Sequence, residues 1–249
     1  MIAIVVLAFV AGLAVGSFAT AVAHRVPRGV GIAIERSRCP ACGAQIAARD
    51  NVPVLSWVLL RGRARCCGAP ISARYPLTEL SVAVLFALTV IVHRHDSVAE
   101  IAIDLVFVTT LAIVTLTDLE QRIIPNKVLL VAAAICLAIA VPTDLGGVPE
   151  RLIAGAAAGG ILFLVVLAYP KGLGLGDIKL AAVMGLFLGR AVAPAIFVAL
   201  LVGSVVGLAL IARHGSAARK MAIPFGPFLA LGGVVGMLVG DQILDAYLG

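Results

Sequence analysis

Two acidic residues, Asp118 and Asp177, stand where a long apolar stretch of the sequence meets a polar one. Asp118 ends one such stretch, and Asp177 opens another after the glycine-rich residues 172–176. If the two carboxylates meet, the ionised one can take a proton from water while the protonated one donates to a peptide carbonyl. Close approach prevents both from ionising together, so the pair would share one proton near neutral pH and titrate as a unit. These residues therefore predict the chemistry of an aspartyl protease.

The residues around Asp177 indicate how a substrate could reach the pair. Gly174 and Gly176 lack a Cβ, so the backbone there can adopt an unusual conformation and let a substrate strand come close. Together with Lys179, they are the candidate substrate-binding residues. A Gly-x-Gly-Asp sequence or a carboxylate at the end of a span is a weak signal alone, because such carboxylates are commonly just solvated. The combination of both features on one side of a membrane is a stronger signal.

The composition indicates that membrane helices position these residues. The chain has 249 residues, of which 62% are hydrophobic and 13% charged, and its mean hydropathy is +1.14. A soluble domain could not hide so much apolar surface, whereas lipid lets apolar side chains face outward. A span needs about 20 mostly apolar residues. We predict an all-α, polytopic membrane helix bundle with eight spans, two of them short, over residues 2–23, 77–92, 98–117, 128–141, 152–169, 178–188, 191–212 and 223–244.

The basic residues predict the orientation of this bundle. With the amino terminus outside and the spans alternating, the cytoplasmic loops carry 16 Lys or Arg residues and the outer loops carry 3. This bias follows the positive-inside rule and places Asp118 and Asp177 at the cytoplasmic face. The net charge of +6 is therefore interpreted as orientation in lipid and not as nucleic-acid binding. The first span lacks a basic segment before it, which favours an anchor over a cleaved signal peptide.

Four of the five cysteines fall in one polar segment, residues 24–76, which is cytoplasmic in this topology. Disulfides are disfavoured there, and Cys39, Cys42, Cys66 and Cys67 suit tetrahedral zinc. A three-cysteine site with water as fourth ligand and a loop that folds without metal are the alternatives. Cys136 is a lone thiol inside a span and is expected to pack as a small hydrophobe.

Six sequence blocks, spread over nearly the whole chain, together resemble the type IV prepilin peptidases, membrane aspartyl proteases of the Gly-x-Gly-Asp class. The blocks are residues 16–18 with 24–27, 50–57 with 60–63, 71–79, 118 with 124–126, 174–180 and 223–228. The resemblance implies catalytic roles for Asp118 and Asp177. It also implies a first transmembrane helix (1–23), a cytoplasmic Cys-containing loop domain (24–76) and a membrane-embedded peptidase domain (77–249).

The resemblance further implies a substrate, a location and a second activity. Such enzymes cut the short basic leader from prepilins and pilin-like proteins of pili and type II secretion, at the cytoplasmic face of the inner membrane of a prokaryote. Members with a long cytoplasmic loop usually also methylate the new amino terminus with S-adenosylmethionine. The loop here is about 50 residues long. The sequence contains no Gly-rich dinucleotide-type loop that would predict the S-adenosylmethionine site.

The cysteine pattern departs from this family in one place. Family members with the loop usually carry two Cys-x-x-Cys pairs, and the first, Cys39 with Cys42, is intact. Ala64 stands where the second pair should begin; Cys67 fits the pattern, and Cys66 is an extra neighbour. A peptidase that has lost the methyltransferase is therefore an alternative.

Two other classes of protein share some of these features. A transporter would also have short or broken spans and carboxylates at the membrane edge, but the chain shows no internal repeat. A non-catalytic membrane scaffold could carry a zinc-ribbon-like loop, but that function gives no reason for the paired Asp motifs.

Overall fold

In a computed structural model of the chain, residues 1–31, 37–169, 173–215 and 223–248 are described. Four basic residues of the charge count, Arg36, Lys171, Arg219 and Lys220, lie outside these ranges. The described residues form nine α-helices: α1 Ile2–Arg25, α2 Leu55–Leu59, α3 Arg74–Val92, α4 Val98–Gln121, α5 Asn126–Thr143, α6 Val148–Ala168, α7 Leu175–Leu188, α8 Val192–His214 and α9 Gly226–Leu248.

Among the described residues, seven apolar segments are long enough to cross a membrane. One of them, Leu175–His214, has 40 residues and would be about 60 Å long as a single helix, twice the bilayer core of about 30 Å. A 3₁₀ turn, Gly189–Ala191, divides it into α7 and α8. The helices α1 and α3 to α9 therefore correspond to the eight spans predicted for a multi-pass membrane protein. Large apolar side chains such as Ile153 and Leu208, 69% and 67% exposed, suit a lipid-facing surface.

The helix lengths differ from the prediction at one of the two spans expected to be short. Helix α5 has 18 residues, longer than the predicted 128–141, because it begins directly after Pro125 and continues through Pro142 to Thr143. Helix α7 has 14 residues, about 21 Å at 1.5 Å per residue, and is the short membrane helix. This short helix carries Asp177 in its first turn.

The chain divides into two compact units, Met1–Arg94 and His95–Gly249. The first unit contains α1, the cysteine loop with α2, and α3. The second unit contains α4 to α9, and both Asp118 and Asp177 belong to it. The three-part domain division expected from the family resemblance stays a prediction.

Small residues let helices of the second unit pack closely around an apolar core. A Cβ added to Gly185 of α7 would lie 2.5 Å from the backbone of Gly155 on α6, so the two helices touch through their main chains, as is common in membranes. Phe107 of α4 stacks on Phe187 of α7 with ring centroids 5.0 Å apart. Cys136 of α5 is fully buried and packs as a small hydrophobe, as predicted.

Polar contacts within the second unit show which helix ends lie together. Lys179 near the start of α7 bonds Asn126 at the start of α5, and Gly226 at the start of α9 bonds Asp118 near the end of α4. At the other end, Arg190 after α7 pairs with Asp241 of α9. Asp118 and Asp177 thus lie at the same end of this unit, as the alternating topology requires.

Candidate active site

Asp118 is a buried carboxylate in the last turn of α4, with 6% of its surface exposed. The helix ends after it because Arg122 takes a left-handed conformation, φ 55° and ψ 40°, and its N–H donates to the carbonyl of Asp118 at 2.9 Å. The N–H of Gly226, the first residue of α9, donates to Asp118 Oδ2 at 2.8 Å. The Arg122 charge also attracts the Asp118 carboxylate. The orientation of this carboxylate is therefore set from two directions.

Asp177 is the third residue of α7 and is 8% exposed. Its Oδ2 accepts a hydrogen bond from the N–H of Gly174 at 2.9 Å. Its own N–H donates to the carbonyl of Gly174 at 3.1 Å. The chain thus closes on itself around the start of the helix, much as in a capping box, and this fixes the Asp177 side chain.

The two carboxylates interact, because the charge of Asp118 acts on Asp177. Both are nearly excluded from solvent, and each is held by the backbone N–H of a glycine, Gly226 or Gly174. Two buried like charges that act on each other are costly to ionise together. The structure therefore places the two residues that the sequence analysis singled out at one end of the second unit, and their role as a catalytic pair stays a prediction.

The glycines before Asp177 allow close packing and do not adopt unusual backbone angles. Gly174 is extended, with φ −85° and ψ 154°, and Gly176 does not have a positive φ. A Cβ added to Gly176 would lie 3.1 Å from the side chain of Ile124. Ile124 belongs to the same sequence block as Asp118. The expectation of an unusual backbone conformation was wrong, because helix α7 begins at Leu175 and takes Gly176 into its first turn.

Lys179, the third candidate substrate-binding residue, is one turn into the exposed start of α7. Its Nζ donates to Asn126 Oδ1 at 3.0 Å, so it links the two segments that carry the Asp motifs. A direct contact of Gly174, Gly176 or Lys179 with substrate stays a prediction.

Two residues near the pair escaped the sequence analysis. Gly226 belongs to the block at 223–228, which was noted for its resemblance but given no role. The first N–H groups of a helix have no partner within it, so a glycine at a helix start offers a free donor, and this signal could have found it. Gln121, three residues after Asp118 on α4, buries its side-chain Nε2 without a hydrogen-bond partner among the described groups. A buried polar side chain of this kind has no signal in the sequence.

The four loop cysteines of the first unit gather at one point, with all four Sγ atoms within 4.8 Å of one another. Individual Sγ–Sγ distances are 3.7 Å for Cys39 to Cys67, 3.3 Å for Cys42 to Cys66 and 3.9 Å for Cys66 to Cys67. All four are free thiols. A tetrahedral zinc ion with Zn–S bonds of about 2.3 Å requires Sγ atoms about 3.8 Å apart. The four cysteines therefore fit a structural zinc ion.

The thiols of the cluster differ in how readily they lose their protons. Backbone N–H groups of Cys42 and Ala41 stabilise the Cys39 thiolate and lower its pKa to about 6. The pKa of Cys66 is raised to about 12, first by its hydrogen bond with Cys42 and then by loss of solvent. Four thiolates this close repel one another, and a divalent cation removes that repulsion.

The cysteine loop is tied to helix α3 through a buried carboxylate. Glu79 of α3 is 7% exposed, and its Oε2 accepts a hydrogen bond from the N–H of Val54 at 2.7 Å. Val54 has φ 59°, which is unfavourable for a β-branched residue. The carboxylate of Glu79 thus holds the loop in a conformation that Val54 would not adopt alone.

Comparison with known proteins identifies the family of this chain. The model of the bacterial peptidase A24 N-terminal domain matches residues 10–93, and that of the type IV leader peptidase family matches residues 105–212. A prepilin leader peptidase/N-methyltransferase of Bacillus subtilis is 35% identical over 96% of each chain. Proteins with the same name from Stutzerimonas stutzeri and Aeromonas hydrophila are each 33% identical, over 99% and 97% of this chain and 94% and 93% of theirs. No solved structure matches. By these matches, the chain belongs to the type IV leader peptidase family.

Proposed function

We propose that this protein is a membrane aspartyl endopeptidase that removes the basic leader from prepilins and pilin-like proteins, with Asp118 and Asp177 as its catalytic dyad. The observation that carries the proposal is the pair of buried carboxylates at one end of the second unit, each held by a glycine N–H. The names of the relatives, prepilin leader peptidase/N-methyltransferase, support the substrate class.

The chemistry follows from one proton shared by the pair. The ionised carboxylate takes a proton from a water molecule as that water attacks the scissile carbonyl. The protonated carboxylate donates its proton to the carbonyl oxygen, which prevents negative charge from building up there. Collapse of the intermediate returns a proton to the leaving amine. The hydrogen bonds from Gly226 and Gly174 to Asp118 and Asp177 keep both carboxylates oriented throughout.

Residues beside the dyad are the proposed contacts with the substrate. Gln121 lies on the same side of α4 as Asp118, since residues three apart are neighbours on a helix. Its Nε2 is buried without a hydrogen-bond partner among the described groups, and it would donate to a substrate carbonyl that reached it. Because Gly176 has no Cβ, its backbone can pack closely against the side chain of Ile124. We assign Gln121, Gly174, Gly176 and Lys179 to substrate binding.

The dyad faces the cytoplasm in this proposal. Arg122 and Lys127 stand at the same end of the second unit as Asp118, and Lys179 stands beside Asp177. Basic residues concentrate on the cytoplasmic side of membrane proteins. The protein would thus be a multi-pass protein of the inner membrane that cuts its substrates at the cytoplasmic face.

The second proposed activity is methylation of the new amino terminus. The relatives' names include N-methyltransferase, so a peptidase without this activity is the less favoured alternative. S-adenosylmethionine would be the methyl donor, as a co-substrate. Cys39, Cys42, Cys66 and Cys67 would hold a structural zinc ion that folds the loop of the first unit.

A cleavage assay in membranes tests the proposal. A pilin-like substrate with a basic leader is incubated with wild type, Asp118→Asn and Asp177→Asn, and mass spectrometry identifies the amino terminus of the product. We expect each substitution to slow cleavage by at least about 10³-fold, within the range that acid–base groups contribute. Asp144→Asn, which changes an exposed carboxylate between α5 and α6, is the matched control and should cut normally. Full cleavage by either dyad variant would disprove the dyad, and a product heavier by one methyl group would establish the second activity.

A further inference from the structure

The cysteine loop contains a turn with a defined hydrogen-bond pattern around Cys39. Arg38 and Gln45 form an antiparallel bridge across it. Inside the bridge, the N–H of Cys39 donates to the carbonyl of Ala44, and the N–H of Gly43 donates to the carbonyl of Cys39, both at 2.8 Å. Gly43 closes the turn with φ 73°.

The same turn occurs a second time, twenty-five residues later. Arg63 and Pro70 form the bridge. The N–H of Ala64 donates to the carbonyl of Ala69, and the N–H of Gly68 donates to the carbonyl of Ala64, again both at 2.8 Å. Gly68 has φ 71°. The loop therefore has two turns with the same backbone bonds in the same register.

This register assigns each cysteine a position within its turn. Cys67 occupies the position that Cys42 has in the first turn, so these two are equivalent. The position of Cys39 is taken by Ala64, which has no sulfur. Cys66 stands where the first turn has Ala41, and Ala41 has no side-chain atom that could bind a metal.

Cys66 nevertheless reaches the cluster. Its Sγ lies 3.3 Å from that of Cys42 and 3.9 Å from that of Cys67. Cys39, at the intact position, lies 3.7 Å from Cys67 and is 4% exposed, whereas Cys66 is exposed. The second turn thus offers two sulfurs from adjacent residues, and both residues are exposed, as Cys42 is.

We infer that Cys66 replaces the ligand missing at Ala64, so that the metal site keeps four thiolates with one ligand displaced by two residues along the second turn. This inference rests on the proposed zinc site. Because Cys66 stands where the first turn has Ala41 and is joined directly to Cys67, it is the weakest of the four ligands and the first to leave the metal. The backbone of the second turn keeps the geometry for a cysteine at position 64.

Cobalt substitution in the purified full-length protein tests this inference. The absorbance from thiolate-to-cobalt charge transfer grows with the number of thiolate ligands, and total metal per chain gives the occupancy. Wild type should show a tetrahedral four-thiolate spectrum. Cys66→Ala should lose about a quarter of the charge-transfer absorbance, as expected for three thiolates, and should bind metal more weakly. Cys136→Ala, which removes a buried thiol far along the chain in α5, should match wild type.

The restoring variant makes the test specific to the displaced ligand. Cys66→Ala combined with Ala64→Cys has the same number of thiols as wild type and should recover the four-thiolate spectrum. A wild-type spectrum and affinity in Cys66→Ala would overturn the inference while leaving the zinc site intact. Failure of the double variant to recover the absorbance would also overturn it, because the two turns would then not be equivalent. If wild type binds no cobalt, the zinc site itself is disproved, and the displaced ligand with it.

Discussion

Replacing Gly226 by alanine tests whether the backbone contact seen here orients the catalytic pair. The added Cβ would lie 2.7 Å from Asp118 Oδ2, whereas ordinary contact begins at 3.4 Å, so the carboxylate must retreat by about 0.7 Å. Gly226 does not have a positive φ, so its backbone conformation is open to alanine and the clash with Asp118 is the main effect.

The size of the expected loss follows from this displacement. A misplacement of about 1 Å at a reacting group can lower the rate by about 10²-fold. We therefore expect Gly226→Ala to lower kcat by about 10²-fold, or about 2.7 kcal/mol in activation free energy. The unfolding temperature should change little, because only one carboxylate has to move.

The assay measures initial rates of leader removal in detergent or lipid discs, together with thermal unfolding of each variant. Gly207→Ala is the matched control, since a Cβ added at this position of α8 meets nothing within 4 Å, and it should cut at the wild-type rate. If Gly226→Ala is folded and cuts as fast as wild type, the contact between Gly226 and Asp118 does not position the dyad and our description of the site is wrong.

Three further predictions concern the short helix and the metal site. Gly185→Ala should lower the free energy of unfolding by about 1–3 kcal/mol through overpacking, because the added Cβ would lie 2.5 Å from the backbone of Gly155. Unchanged thermal unfolding would contradict the close contact between α6 and α7. Arg151→Met should lower the free energy of unfolding by about 1–3 kcal/mol, because the Arg151 guanidinium donates to two carbonyls at the end of α7. Arg151→Lys should recover part of that loss. Equal stability of wild type and both variants would refute this role of Arg151. Zinc affinity, measured by competition with a chelator, should rise by at least about a hundredfold per pH unit between pH 6 and 8, because the raised pKa values of Cys66 and Cys67 require both thiols to release protons on binding. A pH-independent affinity would exclude them as ligands.

Much of the fold could be predicted from the sequence because lipid imposes a simple rule on it. Long apolar stretches must be helices in a bilayer, and the helix positions followed the predicted spans to within a few residues. The boundary between α7 and α8 shows what this rule does not predict. Hydropathy alone joins α7 and α8 into one segment, Leu175–His214, and only length and the glycine at 189 separate them.

The partners of the carboxylates were harder to predict than the carboxylates themselves. Asp118 and Asp177 stood out because both end apolar stretches on the same predicted side of the membrane and one of them belongs to a Gly-x-Gly-Asp sequence. The N–H of Gly226 comes from a helix more than one hundred residues away from Asp118 in sequence, and a backbone donor leaves no trace in residue type. The unpaired Nε2 of Gln121 likewise depends on which helices surround it.

In the cysteine loop, the sequence identified the candidate metal ligands but did not predict how their side chains are arranged. The sequence showed that Ala64 interrupts the second cysteine pair, but it left open whether Cys66 or Cys67 could bind metal. Backbone hydrogen bonds around Ala64 and Gly68 repeat those around Cys39, and this repeat gives each cysteine its position. Such bonds depend on how the chain turns, which the spacing of cysteines alone does not determine.

The claim that Asp118 and Asp177 act as one dyad is tested most directly by cleavage rates of the two single Asn variants and the double variant. Residues that act as a unit are strongly non-additive. We predict that each single variant loses nearly all activity and that the double variant is no slower than the slower single variant. If the two losses multiply in the double variant, or if one single variant keeps the wild-type rate, the two carboxylates do not work together.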